Sequence, residues 1–327
     1  MGFPVAAVTL PGSNYVQVFV GGGSSQAVTL TQTGLSSTDG LDSAWSGPSS
    51  FAMSTEAGAA DYTCIAACQD HNGQANLWAM PTIGHTLMTR QKASATAQWS
   101  APTPFNPQPP VGSSGPISVI AAGKSIPGRI QLFAALPDEA AGHCTMITTW
   151  ETEENSGVYY DWTPMEGAPD LALQPAITCV NAPDGRLQLW ATSSQGNLMT
   201  CWKSGQEKNA PWTTWEQAGA DIKATSAAGG VDSSGLVQMW ACPSGGPDVM
   251  TGTVASSPSQ NITWSNLILA SGAEVGTPYN VAAGHLSSGH LIVFLAAGVY
   301  NSPDKYALYA TLDNGGLAGW VHLANLN

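Results

Sequence analysis

Six times along this chain the same pair of strands is written. The clearest copy is Arg186-Leu187-Gln188-Leu189-Trp190-Ala191, followed by a short turn and Asn197-Leu198-Met199-Thr200. Ala75-Asn76-Leu77-Trp78-Ala79 leads in the same way to Leu87-Met88-Thr89, and Ile130-Gln131-Leu132-Phe133-Ala134 to Thr145-Met146-Ile147. Val237-Gln238-Met239-Trp240-Ala241 leads to Val249-Met250-Thr251. Fainter copies are Val16-Gln17-Val18-Phe19 before Ala27-Val28-Thr29, and Leu291-Ile292-Val293-Phe294 before Ala307-Leu308-Tyr309. A repeat of about 55 residues that fills the chain fixes an architecture of stacked equal units.

Each repeat divides into four strands. Strand A is short and rich in small residues, as in Thr63-Cys64-Ile65-Ala66-Ala67 and Val281-Ala282-Ala283-Gly284. Turns such as Asp70-His71-Asn72-Gly73 and Pro183-Asp184-Gly185 carry residues that tolerate positive φ. Strands B and C form the hairpin. Strand D holds one Trp per repeat, at 45, 99, 162, 215, 264 and 320. The intervals of 54, 63, 53, 49 and 56 between them restate the period independently of the hairpins.

Strand B alternates with period two and is apolar on both faces, as a sheet packed between two neighbours requires. The expected fold is therefore all-β: a six-bladed β-propeller with four antiparallel strands per blade. One domain spans 1–327, with blades at approximately 1–57, 58–113, 114–172, 173–221, 222–275 and 276–327. The first and last blades each carry four strands, so the ring should close by packing, without a borrowed strand. Three irregular stretches are candidate functional loops: Ala101 to Pro116 with six Pro, the acidic insertion Glu151 to Gly157, and Gly298 to Lys305.

Composition narrows the partners. Charged residues are 9% of the chain, too few for long surface helices, and 36 Gly and 22 Pro suit short strands and turns. A net charge of -13 with 9 Lys+Arg excludes a nucleic-acid partner and an anionic membrane surface. No apolar run reaches the roughly 18 residues of a membrane span. The start, Met1-Gly2-Phe3-Pro4-Val5, does not read as a signal peptide. That fits an intracellular protein or a mature chain freed of its signal. Low Lys content and the sequon Asn261-Ile262-Thr263 lean toward secretion. Six Cys include no CxxC pair, so zinc is not expected, and they read as small buried groups with at most one bridge between blades. No calcium loop is present, and neither a metal nor a cofactor is expected.

The repeated strand B, turn, strand C and Trp-bearing strand D resemble the fungal fucose-specific lectins. The resemblance covers the whole chain and implies a six-bladed propeller with sugar held between adjacent blades. In that family an Arg on strand B and a Glu on strand C grip the hydroxyls. The Arg position falls here on Gln17, Asn76, Gln131, Gln188, Gln238 and Ile292, and the Glu position on Thr29, Thr89, Ile147, Thr200, Thr251 and Ala310. No blade keeps either charge, and Gln cannot replace the Arg fork. The repeated Gln is expected to cap backbone groups of a neighbouring blade.

Two functions remain. One is a carbohydrate-binding lectin with altered, multivalent pockets between blades, at Gln17, Asn76, Gln131, Gln188 and Gln238. The other is a cofactor-independent enzyme that binds an apolar natural product in the central funnel. It would promote cyclisation or cycloaddition, as a pericyclase does, by positioning and hydrogen-bond polarisation. No GxSxG or HExxH signature points to hydrolysis. Loss of both charged residues in all six blades favours the enzyme. Its candidate funnel residues are Tyr62, Thr63, Thr178, Thr225, Tyr279 and Asn280, near the starts of strand A. Candidate polar loop residues are His71, Lys124, Arg129 and His285.

Overall fold

The structure is a computed structural model. It describes residues 3–13, 15–21, 27–33, 45–53, 61–112, 115–125, 128–207, 209–219, 222–244, 248–254, 261–267, 275–286, 290–299, 302–312 and 320–326. Six four-stranded antiparallel sheets follow one another, each built from consecutive strands. Blade 1 comprises Val5–Thr9 (β1), Val16–Val20 (β2), Ala27–Thr31 (β3) and Ser49–Phe51 (β4). Blade 2 comprises Tyr62–Gln69 (β5), Ala75–Pro81 (β6), Met88–Lys92 (β7) and Thr103–Pro104 (β8). Val119–Lys124 (β9), Ile130–Asp138 (β10), His143–Trp150 (β11) and Thr163–Pro164 (β12) make blade 3. Ile177–Asn181 (β13), Leu187–Thr192 (β14), Leu198–Trp202 (β15) and Glu216–Gln217 (β16) make blade 4. Blade 5 is Ala224–Val231 (β17), Val237–Pro243 (β18), Val249–Val254 (β19) and Ile262–Leu267 (β20). Blade 6 is Val275–His285 (β21), Leu291–Val299 (β22), Ser302–Leu312 (β23) and Val321–Asn325 (β24).

The hydrophobic core is divided among six seams between neighbouring blades. The alternation of strand B explains this. In β14 all six residues are buried. Leu189 and Ala191 pack into the seam with blade 3, while Trp190 turns into the seam with blade 5. The ring closes as expected. Val16, Val18 and Leu30 share a seam with Ile292, Phe294 and Leu308, and Trp45 meets Phe294 edge-on at 5.5 Å. Thr9 Oγ1 donates to the His285 carbonyl at 2.6 Å across the same joint.

Strand D is shorter than its neighbours in several blades. Thr103-Pro104 and Thr163-Pro164 pair over two residues each. Pro has no N–H for a further partner, so it suits an outermost edge. Most of the repeated Trp therefore stand just before strand D, and Trp264 lies within β20. They reach back to the preceding blade. Trp99 Nε1 donates to Gln17 Oε1 at 3.1 Å, Trp162 Nε1 to the Pro107 carbonyl at 3.0 Å, and Trp264 Nε1 to the Ala218 carbonyl at 2.9 Å.

Small residues on strand A are set by crowding at the axis. A Cβ on Gly123 would meet Cys179 Sγ at 2.5 Å, one on Gly230 would meet Leu291 Cδ2 at 2.5 Å, and one on Gly284 would meet Val16 Cγ1 at 2.7 Å. In each case the obstacle belongs to the next blade. All six Cys are free, with no bridge between blades. Among the described residues no helix is long and apolar enough to cross a membrane.

Candidate functional site

Four of the strand-B amides face the Thr of the adjoining strand C in their own blade. Gln17 Nε2 donates to Thr29 Oγ1 at 2.9 Å, Gln131 Nε2 to Thr148 Oγ1 at 3.0 Å, and Gln188 Nε2 to Thr200 Oγ1 at 3.1 Å. Each Thr passes the chain on to a strand-B carbonyl, at Val18, Leu132 and Leu189. In blade 5 the order reverses: Thr253 Oγ1 donates to Gln238 Oε1 at 2.8 Å, and Gln238 Nε2 donates to Asp232 Oδ2 at 2.8 Å. These Gln–Thr contacts thus lie within one blade, rather than capping the backbone of a neighbour as expected, and Gln17 also takes the Trp99 indole N–H of blade 2 on its Oε1. Asn76 departs from the pattern and donates to the Gln74 carbonyl at 3.2 Å. The partners in blades 3 and 5 are Thr148 and Thr253, where the sequence alignment of repeats points to Ile147 and Thr251. The register explains the offset in blade 3: Gln131 lies opposite Trp150, which brings Thr148, two residues along, to its amide.

At the axis, strand-A residues surround an open cavity of about 120 Å3. Ala66, Ala67, Ala121, Ala122, Thr178, Cys179, Ala228, Gly229, Ala282 and Ala283 are among its lining. Of the funnel candidates, Thr178 stands there. Thr63, Thr225 and Tyr279 are the extra residues of β-bulges, at the register shifts Tyr62/Cys64, Ala224/Ser226 and Pro278/Asn280. A bulge bends the strand and re-aims its side chains. Thr63 and Thr225 bond instead to the strand-B carbonyls of Met80 and Cys242, at 3.1 and 3.2 Å. Tyr62 is buried with its hydroxyl oxygen accepting from Met53 N at 2.7 Å, and Tyr279 packs on Tyr306. Asn280 Oδ1 accepts from Ser226 Oγ at 2.6 Å and ties blade 6 to blade 5.

The polar loop candidates also divide. His71 Nδ1 lies 3.1 Å from Glu154 Oε1, joining the turn of blade 2 to the acidic insertion of blade 3. Lys124 Nζ donates to the Asp70 carbonyl at 3.3 Å. His285 marks the ring-closure joint. Arg129 alone among them borders a roomier cavity.

That cavity, about 320 Å3, lies in the seam between blades 3 and 4 and opens on the face of the A–B turns. Blade 3 supplies Arg129, Gln131, Thr148, Trp150, Met165 and Glu166; blade 4 supplies Arg186, Leu187, Lys203, Glu207 and Trp212. Each cation is fixed by its local fold. Arg129 stands at the start of strand B with Nη1 donating to the Glu151 and Thr152 carbonyls, both at 3.1 Å. Those carbonyls are held in place because Glu151 turns its own carboxylate onto Ile130 N and Gly157 N, at 2.9 and 3.1 Å. The acidic insertion is thus a tethered loop, and burial pushes the Glu151 carboxyl up. Arg186 follows a turn with Gly185 at φ 83°. Asp184 accepts from the Arg186 N–H at 3.0 Å and grips its guanidinium at 2.6 Å. Lys203, just after β15, bridges Trp212 on the backbone and sets its ammonium 5.0 Å from the indole centroid, donating to the Ala210 carbonyl at 3.1 Å. Trp212 in turn meets Phe133 edge-on at 5.6 Å.

The equivalent seam between blades 1 and 2 is filled. Trp99 occupies Gln17 there, and Arg90 lies over Phe51 while donating to the carbonyls of Ala52, Trp99 and Ser100. Between blades 2 and 3, Phe105 from the Pro-rich connection packs on Tyr159 and Trp162. Sequence reasoning placed Arg129 and Arg186 on one face but missed Lys203, Trp150, Trp212, Glu166 and Glu207. One signal was available: three of the chain's nine Lys and Arg fall close to one hairpin pair. Among the described residues no group of His, Cys, Asp and Glu could hold a metal.

No protein-family profile and no curated protein matches the chain. Solved structures do match in fold. The chain is similar to a point mutant of the Aleuria aurantia lectin in complex with Fucalpha1-6GlcNAc, at TM-score 0.62 and 13% identity over 99% of this chain and 96% of that one. It is similar to AofleA from Arthrobotrys oligospora, at TM-score 0.62 and 10% identity over 98% and 84%. A Hadza microbial sialidase also aligns, at TM-score 0.60 and 12% identity over 93% and 64%. The chain shares the six-bladed fold of the fungal fucose-specific lectins. At such identities the likeness establishes the fold, and function must be argued from the site.

Proposed function

We propose that this protein is a carbohydrate-binding propeller whose ligand enters the cleft between blades 3 and 4. One observation carries the reading. The cleft combines a half-buried aromatic wall, Trp150 and Trp212, with convergent polar groups of Arg129, Gln131, Thr148 and Lys203. It lies in a seam between blades, where the resemblance puts the sugar. Its 320 Å3 falls within the usual range of small-molecule sites, roughly 300–1,000 Å3. An indole face can take the apolar face of a pyranose while the surrounding donors hold its hydroxyls. The fold neighbours that bind fucosides support a sugar over an apolar guest.

The enzyme reading draws less support. The axial cavity of about 120 Å3 is walled by Ala, Gly, Thr and Cys and is below that range. It offers little room for two apolar reacting groups and little to polarise them.

Isothermal titration against a monosaccharide panel, with stoichiometry, tests the proposal. One site per chain is expected, with binding lost in Trp212→Ala. Silence across the panel, or binding that Trp212→Ala and Trp150→Ala leave intact, would overturn it.

A further inference from the structure

The cleft concentrates positive charge in an acidic protein. Three of nine Lys and Arg line it, in a chain of net charge -13. Arg186 is neutralised by Asp184. Arg129 and Lys203 are not: among the described residues neither makes an ion pair with a carboxylate. Their hydrogen-bond acceptors among the described residues are backbone carbonyls, at Glu151 and Thr152 for Arg129 and Ala210 for Lys203, which also faces the Trp212 indole. Nε and Nη2 of Arg129 have no protein acceptor among the described residues. The cleft's two carboxylates, Glu166 and Glu207, stand exposed at its rim.

This arrangement is costly. Arg129 is only 5% exposed, and a buried charge is normally paired. The Lys203 ammonium is pushed down by burial; Cys201 acts against this, and the Arg129 charge adds a smaller push downward. Two cations that disfavour each other in a walled cleft define a place for an anionic group. An Arg fork suits a carboxylate, and a Lys beside it adds a point charge. The Trp212 face next to Lys203 suits the ring that bears the carboxylate.

We infer that the cleft is selective for an acidic sugar, with the ligand carboxylate between Arg129 and Lys203 and its ring against Trp212. This rests on the carbohydrate reading above and narrows it to a substrate class. A neutral sugar would leave both cations without a counterion.

The experiment is titration of the full chain with glucuronate and galacturonate, each against its neutral parent sugar, and with acetate as the carboxylate alone. The uronates should bind at one site per chain, about tenfold or more tighter than the parents, as a charge-assisted contact would give. Acetate should not compete at equal concentration. Lys203→Met should reduce the preference severalfold, because it removes one of the two cations, while the neutral parent sugars keep their affinity and the chain still folds by thermal scan. Equal binding of uronate and parent, or a preference that Lys203→Met leaves unchanged, overturns the inference and leaves the carbohydrate reading standing. Acetate binding as tightly as the uronates overturns it too, because no ring is then read. Failure of every sugar, charged or neutral, removes both readings together.

Discussion

Glu151 shows how one side chain supports the site without touching ligand. Its carboxylate satisfies Ile130 N and Gly157 N, and so fixes the carbonyl that holds Arg129. Burial raises its pKa above the ordinary 4.5, with Asp70 adding to the shift and the backbone N–H groups opposing it. A raised carboxyl means that the folded state holds the proton more tightly than the unfolded chain. The favourable contribution is complete below pH 4.5 and is lost as pH rises from there through the folded-state value. The melting temperature of Glu151→Gln should therefore improve relative to wild type as pH rises from 4.5 to 7. Thermal scans of both proteins across that range would show the gap, and a constant difference would contradict the assignment. A second residue-scale expectation concerns Thr148. Thr148→Val leaves the buried Gln131 amide without its acceptor and should cost about 1–3 kcal/mol by denaturant unfolding. Adding Gln131→Leu should recover much of that loss.

At the scale of elements, strand B carries most of the packing. Both of its faces are buried, each in a different seam, so a truncation in it opens a cavity with little room to relax. Trp190→Ala should cost about 3–5 kcal/mol. Strand A works under the opposite constraint. Gly284→Ala would drive a methyl group to within 2.7 Å of Val16 and should cost about 1–3 kcal/mol, because the obstacle is a stiff β-branched side chain of the next blade. Both values come from equilibrium unfolding, and a Gly284→Ala protein as stable as wild type would mean the seam can open. The hairpins were legible in the sequence because period two and turn residues are local signals. The bulges at Thr63, Thr225 and Tyr279 were not, since a bulge shows only when the partner strand is in register.

For the molecule as a whole, the ring leaves the thiols inert. Burial raises Cys64, Cys68 and Cys242 to about 12, and pushes Cys144, Cys179 and Cys201 upward as well. A thiol reagent at neutral pH should find almost no fast-reacting Cys in the native protein and all six after denaturation. Rapid modification of the native protein would show that the seams open readily. Ligand stoichiometry belongs to the same scale. Six similar blades invite six sites, yet the seam between blades 1 and 2 is plugged by its own Trp99 and Arg90 and that between blades 2 and 3 by Phe105 on Tyr159, so binding should fall short of six per chain.

The repeat by itself determined the six blades, the four strands in each, the two-faced strand B and the closure of the ring. These follow from local periodicity multiplied six times, and neighbouring copies can only bury both faces by stacking. The tertiary structure decided which seam stays open. That depends on contacts between residues far apart in the chain: Trp99 with Gln17 closes one seam, Phe105 with Tyr159 another, and Lys203 beside Trp212 with Arg129 opposite leaves a third as a charged cleft. The hairpins alone do not mark the exception, because the difference lies in the loops that meet across the blades.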